Sequence, residues 1–553
     1  MTMQAKPHHL FHRLLISAVV FLLVQTGYAQ ETRGVIVGEV TEATGSVVAG
    51  ATVTATNVLT GVSVNTETNR EGRYILPYLI PGIYRVSAEA RGFKTAALDQ
   101  IELRISDRLQ LDFRLEVGAT SETVEVKADT PLLQTATANI GQTFDAKRIR
   151  DLPLQHGSPY TLMYLAPGVI NVYPGGFYYQ TPTELNATST MTAIQGAPLG
   201  STDFTVDGIP NTQTSNANYG VGVSNSPPVD VVQEFKVETA FDASVGRTSG
   251  TVINATLKSG ENNFHGTAYL FHRTPEWNAN SFFANKNGAG KGDFNYDRWG
   301  GSFTGPVRIP KLYDGRNRSF FTYGYEGLRN ELVSAFTGTV PDPTFRTGDF
   351  SALLKLGPQY QIYDPATIRP AGNGRFTADP FPNNIIPANR ISPIAKEILK
   401  YYPEPNVPGT ADKRNNYSSQ TRPEPVTYYN HVGRFDQVLS ERQRFYVRVS
   451  ASRKDDGPYR NYWDNITAGN VFRGITRQIA VDDVYTFSPT LTLNVRYGYL
   501  RYEGGHFPRR AGFDVGSLGF PSATTAQLTA TASLFPRIDI SGQDSVAFEA
   551  YDV

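Results

Sequence analysis

Catalytic chemistry is the first thing the residues of this chain argue against. Beyond the first thirty residues the histidines are His156, His265, His272, His431 and His506, and none begins an H-x-x-E or H-E-x-x-H pattern. The spacing that would hold a zinc-activated water is therefore missing. Gly288-Ala289-Gly290-Lys291-Gly292 imitates a phosphate loop, but Asn285 stands at the leading glycine position and Gly292 replaces the Ser/Thr that would reach a metal. No G-x-S-x-G elbow occurs. Asp203 and Asp207 could be paired carboxylates, yet no His or Lys supports them, and Asp207-Gly208 reads better as a turn. With Cys 0, thiolate metal sites, disulfides and a lipoprotein anchor are excluded. No catalytic residue, metal or cofactor is expected.

The chemistry that remains is that of recognition. Val172 to Gln180 (VYPGGFYYQ) offers Tyr173, Phe177, Tyr178 and Tyr179. Asn211 to Gly220 (NTQTSNANYG) adds Asn211 and Tyr219. Aromatic rings beside Asn and Thr on loops suit contact with a glycan or peptide. A second kind of recognition is carried by Glu122, Thr123, Val124, Glu125 and Val126, which alternate polar and β-branched residues in an otherwise flexible stretch. Such a strand can add to the edge of a partner sheet through its backbone. The alternative is the last edge strand of the domain before it. Lys+Arg 51 against Asp+Glu 51 gives no global bias towards nucleic acid.

Several elements must position these groups. Residues 1–29 read as an export signal: Lys6 and Arg13, an apolar core from Leu14 to Val24, then Gly27-Tyr28-Ala29. No later stretch has the roughly 18 apolar residues of a membrane helix. Residues 33–115 alternate with period two, as in Ala51 to Thr56 and Tyr84 to Glu89, with turns at Asn69 to Gly72 and Pro81-Gly82, which predicts a small β-sandwich. Residues 116–130 form a linker. Ser158-Pro159 before YTLMYLAPG predicts a helix stopped at Gly168, and Asp230 to Glu234 predicts a short helical start. Beyond Gly260, Phe321, Tyr323 and Tyr325 oppose Thr322, Gly324 and Glu326. Phe445, Val447 and Val449 likewise oppose Arg444, Tyr446 and Arg448, and Leu491, Leu493, Val495 and Tyr497 oppose Thr492, Asn494 and Arg496. Inward charges with outward apolar residues fit a wet-lumen membrane barrel, since a soluble sandwich needs an apolar interior.

Particular runs carry a resemblance. VGEVTEATGSVVAGATVTATNVLTG, EGRYILPYLIPGIYRVSAEARGF and LDFRLEVG resemble a carboxypeptidase regulatory-like domain, a transthyretin-like sandwich. FTVDGIP and FDASVGRTSGTVINATLKSG resemble the plug of TonB-dependent outer-membrane receptors. NFHGTAYLFHR, RWGGSFTGPV, RSFFTYGYEGLR, FPNNIIPANRISPIA and RFDQVLSERQRFYVRVS resemble the Oar-like branch of that family. The resemblance implies a mainly β chain: signal peptide, regulatory-like sandwich, α/β plug over 131–260 and the N-terminal part of an antiparallel transmembrane β-barrel over 261–553. It also implies that ETVEV is the TonB box gripped by a periplasmic energy transducer, and that Arg247 of the plug pairs with a barrel acid, for which Glu326 is the candidate. About seven wall strands are visible against about 22 in complete transporter barrels, so a C-terminally truncated fragment is expected.

The expected function is an outer-membrane receptor that binds a large or scarce extracellular solute, whether glycan, peptide or chelate, and imports it with inner-membrane energy. The alternative is adhesion or surface assembly on the same scaffold. Outer-membrane lipid surrounds the wall, the sandwich lies in the periplasm, and Leu328 to Pro425 forms an ordered cap outside the cell. The tight VLSERQ and FSPTLT turns then fall at the periplasmic end.

Overall fold

A computed structural model describes residues 31–119, 123–125, 140–152, 158–171, 192–194, 201–213, 222–240, 250–280, 282–286, 290–332, 334–421, 425–459, 465–467, 469–528 and 533–540. The signal segment, Glu122, Val126, Tyr173, Phe177, Tyr178, Tyr179, Tyr219 and Arg247 lie outside the described residues.

The N-terminal sandwich comprises β1 (Gly34–Glu42), β2 (Thr52–Asn57), β3 (Ser63–Glu67), β4 (Arg73–Leu79), β5 (Gly82–Glu89), β6 (Thr95–Leu103), β7 (Arg108–Gln110) and β8 (Phe113–Leu115). One sheet runs β4-β1-β7, with β8 also on β1. The other runs β3-β2-β5-β6 and is completed by β9 (Thr123–Glu125). Alternation turns Val53, Ala55, Val86 and Ala88 inward against Ile36, Leu76 and Phe113, as a two-sheet core requires. Tyr74 keeps its hydroxyl satisfied inside that core by donating to the Leu111 carbonyl at 2.6 Å.

An inner module follows, built from β10 (Ile140–Asp145), β11 (Thr202–Val206), β12 (Ile209–Pro210), β13 (Val232–Ala240) and β14 (Thr251–Leu257). Its sheet order is β10-β13-β14-β11-β12, with β11 parallel to β14. Asp207 and Gly208, both at positive φ (50° and 75°), close the tight β11–β12 hairpin. Two helical expectations change here. Pro159–Leu165 is a 3₁₀ helix, and Ser158 makes no side-chain cap bond; its hydroxyl instead meets Ser226 at 3.2 Å. Seven residues give an α-helix little propagation beyond its costly nucleus. The helical start at Asp230 to Glu234 is a single 3₁₀ turn, Val229–Val231, from which β13 departs at once. Consecutive valines favour the extended chain, and pairing with both β10 and β14 fixes it.

The C-terminal half is one antiparallel wall of seven strands in chain order. They are β15 (His265–Arg273), β16 (Phe294–Pro306), β17 (Ser319–Leu332), β18 (Val426–Ser440), β19 (Gln443–Tyr459), β20 (Asn470–Ser488) and β21 (Leu491–Pro508). The sheet is open between β15 and β21 among the described residues. Its parity is the one the sequence predicts. Tyr323, Val449, Leu493, Val495 and Tyr497 are exposed, whereas Thr322, Glu326, Arg448 and Asp482 are buried on the inward face. An outward apolar band over an inward polar face is the pattern lipid selects.

Connections are tight at one end of the wall, Ser440 to Gln443 and Ser488 to Leu491, and long at the other. The longest is folded rather than slack. Asn384, fully buried, donates to the Phe350 and Tyr360 carbonyls at 3.0 and 3.1 Å and accepts from Ile362 N at 2.6 Å. Val340, Ile398 and Tyr402 then pack with Phe513, Leu518 and Phe535 into an apolar cluster joining this loop to the chain after β21.

Candidate functional site: the junction of sandwich, inner module and wall

The wall's inward residues could not stay charged and buried without partners. Those of Arg434 and Arg448 include the inner module. At its centre is Asp207, 2% exposed, at the tip of the β11–β12 hairpin. Its Oδ1 accepts from Leu257 N at 3.0 Å and from Arg434 Nη1 at 3.1 Å, and its Oδ2 lies 3.1 Å from Arg448 Nε. Arg434 also grips Asp436 through two bonds (2.9 and 2.8 Å) and stacks over Tyr446 at 4.3 Å. Arg448 continues the clamp to the Val206 carbonyl at 3.1 Å and to Gln478 at 2.8 Å. The Tyr446 hydroxyl donates to the Asp207 carbonyl at 3.1 Å. Two wall arginines thus hold one module carboxylate.

A neutral seam runs beside this clamp. Asn430 donates to Asn225 Oδ1 at 2.9 Å and to the Ser226 carbonyl at 2.8 Å, Asn225 donates to Ser450 at 3.0 Å, and Thr476 donates to the Ser224 carbonyl at 2.8 Å. Asn211 belongs to this seam. It is fully buried, its amide donating to the Asn225 carbonyl at 2.6 Å and its Oδ1 accepting from Asn225 N at 3.1 Å. The expectation that Asn211 faces ligand from an exposed loop is corrected: its short amide satisfies both the N–H and the carbonyl of buried Asn225.

Glu326 is buried on the inward face, as its parity requires. Its contacts come from the neighbouring strands: Arg298 donates to Oε2, and the Tyr269 hydroxyl donates to the same oxygen at 2.7 Å. The expected partner Arg247 lies outside the described residues. Close approach to the module also sets the residue at 324, where a Cβ would meet Val231 Cγ1 at 2.2 Å.

The sandwich meets both other parts at the tight-turn end. Arg33 bonds Asp482 of β20 at 2.8 Å, Arg496 of β21 pairs with Asp482 at 2.6 Å and with Glu31 at 3.3 Å, and Arg444 of β19 donates to the Tyr78 carbonyl at 2.8 Å. Burial would raise the Glu31 carboxyl, but the Arg33 hydrogen bonds and the Arg33 and Arg496 charges hold it down at about 2. A cavity at this junction is lined by Arg33, Tyr78, Tyr84, Arg434, Arg444 and Tyr446. Against the module, Glu234 accepts from Ile105 N at 2.5 Å, and Lys236 lies 3.8 Å from Asp107 and 3.4 Å from Glu238. Burial first, and the Asp107 and Glu102 charges after it, push the Glu234 carboxyl up to about 8, against the Ile105 bond and Arg104.

Of the strand-adding segment, Thr123–Glu125 is described: it runs parallel to β6 with Thr95, Ala96 and Ala97 opposite Thr123, Val124 and Glu125. Among the described residues no cluster of three or more His, Asp or Glu could hold a metal ion. The arrangement is suited to holding a module inside a strand wall by polar contacts that can break and reform. Sequence reasoning missed Asp207, Arg434 and Glu234 in these roles. The inward parity of Arg434 and Arg448 was the available signal, because each such charge demands a partner.

Comparison with known proteins bears on this geometry. Residues 256–552 match the model of an outer membrane beta barrel domain, and residues 35–116 that of a carboxypeptidase regulatory-like domain. The TonB-dependent transporter Oar of Myxococcus xanthus is 26% identical over 258 residues, covering 43% of this chain and 22% of the relative. Among solved structures, the outer membrane transporter YddB from Escherichia coli is similar at a TM-score of 0.39 and 13% identity, over 65% of this chain and 38% of that one. The siderophore receptor PirA from Pseudomonas aeruginosa is similar at a TM-score of 0.34 and 13% identity, over 66% and 41%. The chain thus spans well under half the length of each of these proteins.

Proposed function

Because the chain belongs to the outer membrane beta barrel domain family, we propose that it is part of a TonB-dependent outer-membrane receptor. In this reading the inner module over 131–260 is the plug, and the sandwich stands in the periplasm. The receptor binds a large or scarce solute, a glycan, peptide or chelate, at the long-loop end and admits it when an inner-membrane motor pulls on Glu122 to Val126. The observation that carries this reading is the polar attachment of module to wall at Asp207, Arg434 and Arg448. A permanent filling would be secured by apolar packing, whereas charge pairs and amide bonds suit a body that must shift and return. The similarity to a relative named as a transporter supports the same class.

The test is Val124→Pro in the full-length protein. Proline removes a backbone donor and forbids strand addition, so energised uptake fails while ligand still binds at the cell surface. Uptake at the unaltered rate would refute motor coupling through this segment and leave adhesion on the same scaffold as the better reading.

A further inference from the structure

One strand segment has two pairings to consider, one with its own domain and one with a partner sheet. Thr123–Glu125 is paired to β6 as the outermost strand of the sandwich. The chain is led there by stitches on either side of the sheet edge: Lys94 N donates to the Glu116 carbonyl at 2.8 Å and Gly118 N to the Gly92 carbonyl at 3.1 Å. The sandwich itself is tied to the wall, not to the module alone, through Arg33 and Asp482 at 2.8 Å and through Arg444 and Tyr78 at 2.8 Å. Load applied to the paired strand is therefore shared by the sandwich's contacts with the wall and with the module. Only after the strand leaves β6 can load travel along the chain to Ile140 and the inner module.

We infer that the edge of β6 at Thr95 to Ala97 is a strand-accepting surface that stores the coupling segment, so that a periplasmic energy transducer must displace Thr123–Glu125 from it before it can pull. This rests on the coupling reading above. A three-residue parallel pairing makes few backbone bonds, and parallel pairs are slightly the weaker kind. The store is thus readily opened by a competing sheet edge, yet sufficient to cover the β6 edge against wrong partners. The transducer's apparent affinity is lowered by the fraction of time the strand is stored.

The absence of cysteine from the chain makes a direct test possible. Ala97 and Glu125 are opposite one another, at the Cα spacing of neighbouring strands that a disulfide can bridge. In the Ala97→Cys/Glu125→Cys protein, held in detergent, the probe is the purified periplasmic domain of the host's energy transducer. A free peptide of residues 119–130 serves as the second ligand. The oxidised protein should bind the probe about 10- to 100-fold more weakly than the same protein reduced, while the peptide binds it in either redox condition. The Thr95→Cys/Thr123→Cys pair should repeat the result if the first pair folds poorly.

Equal binding by oxidised and reduced protein would overturn displacement, because the transducer would then be adding to the outer edge of the stored strand. A folded protein in which neither pair oxidises would overturn storage itself. If neither the reduced protein nor the peptide binds the probe, the coupling reading falls and this inference falls with it.

Discussion

Asp207 serves two demands that can be separated by substitution. It stands at positive φ in the hairpin turn and faces Arg434 and Arg448. Asparagine tolerates that backbone conformation but carries no charge. Asp207→Asn should therefore lower the unfolding free energy in detergent by about 3 kcal/mol, the cost of leaving a buried charge without its partner. Asp207→Ala should cost about 1–2 kcal/mol more, because alanine resists the left-handed region. Equal losses would mean that the turn contributes nothing. Glu234 makes the second residue-scale prediction. Its carboxyl is raised from 4.5 to about 8 where the sandwich meets the module, so between those values it is protonated when docked and ionised when free. Docking takes up a proton, is fully supported below about pH 4.5, weakens as pH rises, and has lost this contribution above about pH 8. The dependence is at most about tenfold per pH unit, and Glu234→Gln should flatten it. Spin labels on Glu71→Cys and Asn373→Cys, both exposed sites, would read the docked fraction as a distance. At this scale the sequence exposed the inward charges through their parity, but not their partners. Asp207 lies more than 200 residues before Arg434, a separation of 227, and no local pattern links them.

The wall strands were legible as elements because one face of each is apolar and exposed and the other meets polar groups, which writes a period of two directly into Phe321 to Glu326 and Leu491 to Tyr497. The inner module was less so. β11 and β14 are buried along their whole lengths, so alternation vanishes, and Asp230 to Glu234 could be taken for a helix when register with β10 and β14 makes it a strand from Val232 onward. Gly324 shows what such a tertiary constraint asks of a single position on β17. Gly324→Leu should force Val231 away from the wall and destabilise the module by about 1–3 kcal/mol, seen as an earlier thermal transition of the module while the sandwich transition is unmoved. In the long loop, Asn384→Ala deletes several buried bonds to Phe350, Tyr360 and Ile362. Unsatisfied backbone groups there should cost about 2–3 kcal/mol locally and open new protease cuts between residues 345 and 400. An unchanged digestion pattern would contradict the account of this loop as a folded cap.

At the scale of the molecule, three parts are ordered along one axis. The sandwich sits against the tight-turn end of the wall, the inner module lies against its inward face, and the folded long loop stands at the far end. Under the proposed receptor reading, that order would set the sidedness: sandwich and tight turns in the periplasm, loop outside. The sequence carried this arrangement in its rhythm of short and long connections, whereas the docking of the sandwich on the wall through Arg33 and Asp482 had no sequence signal at all. The most direct test uses single cysteines in the full-length protein on intact cells, with a maleimide polymer too large to pass porins. Asn373→Cys should be labelled and Ser440→Cys should not, until the cells are broken. Labelling at Ser440→Cys with none at Asn373→Cys would invert the wall and contradict the receptor reading.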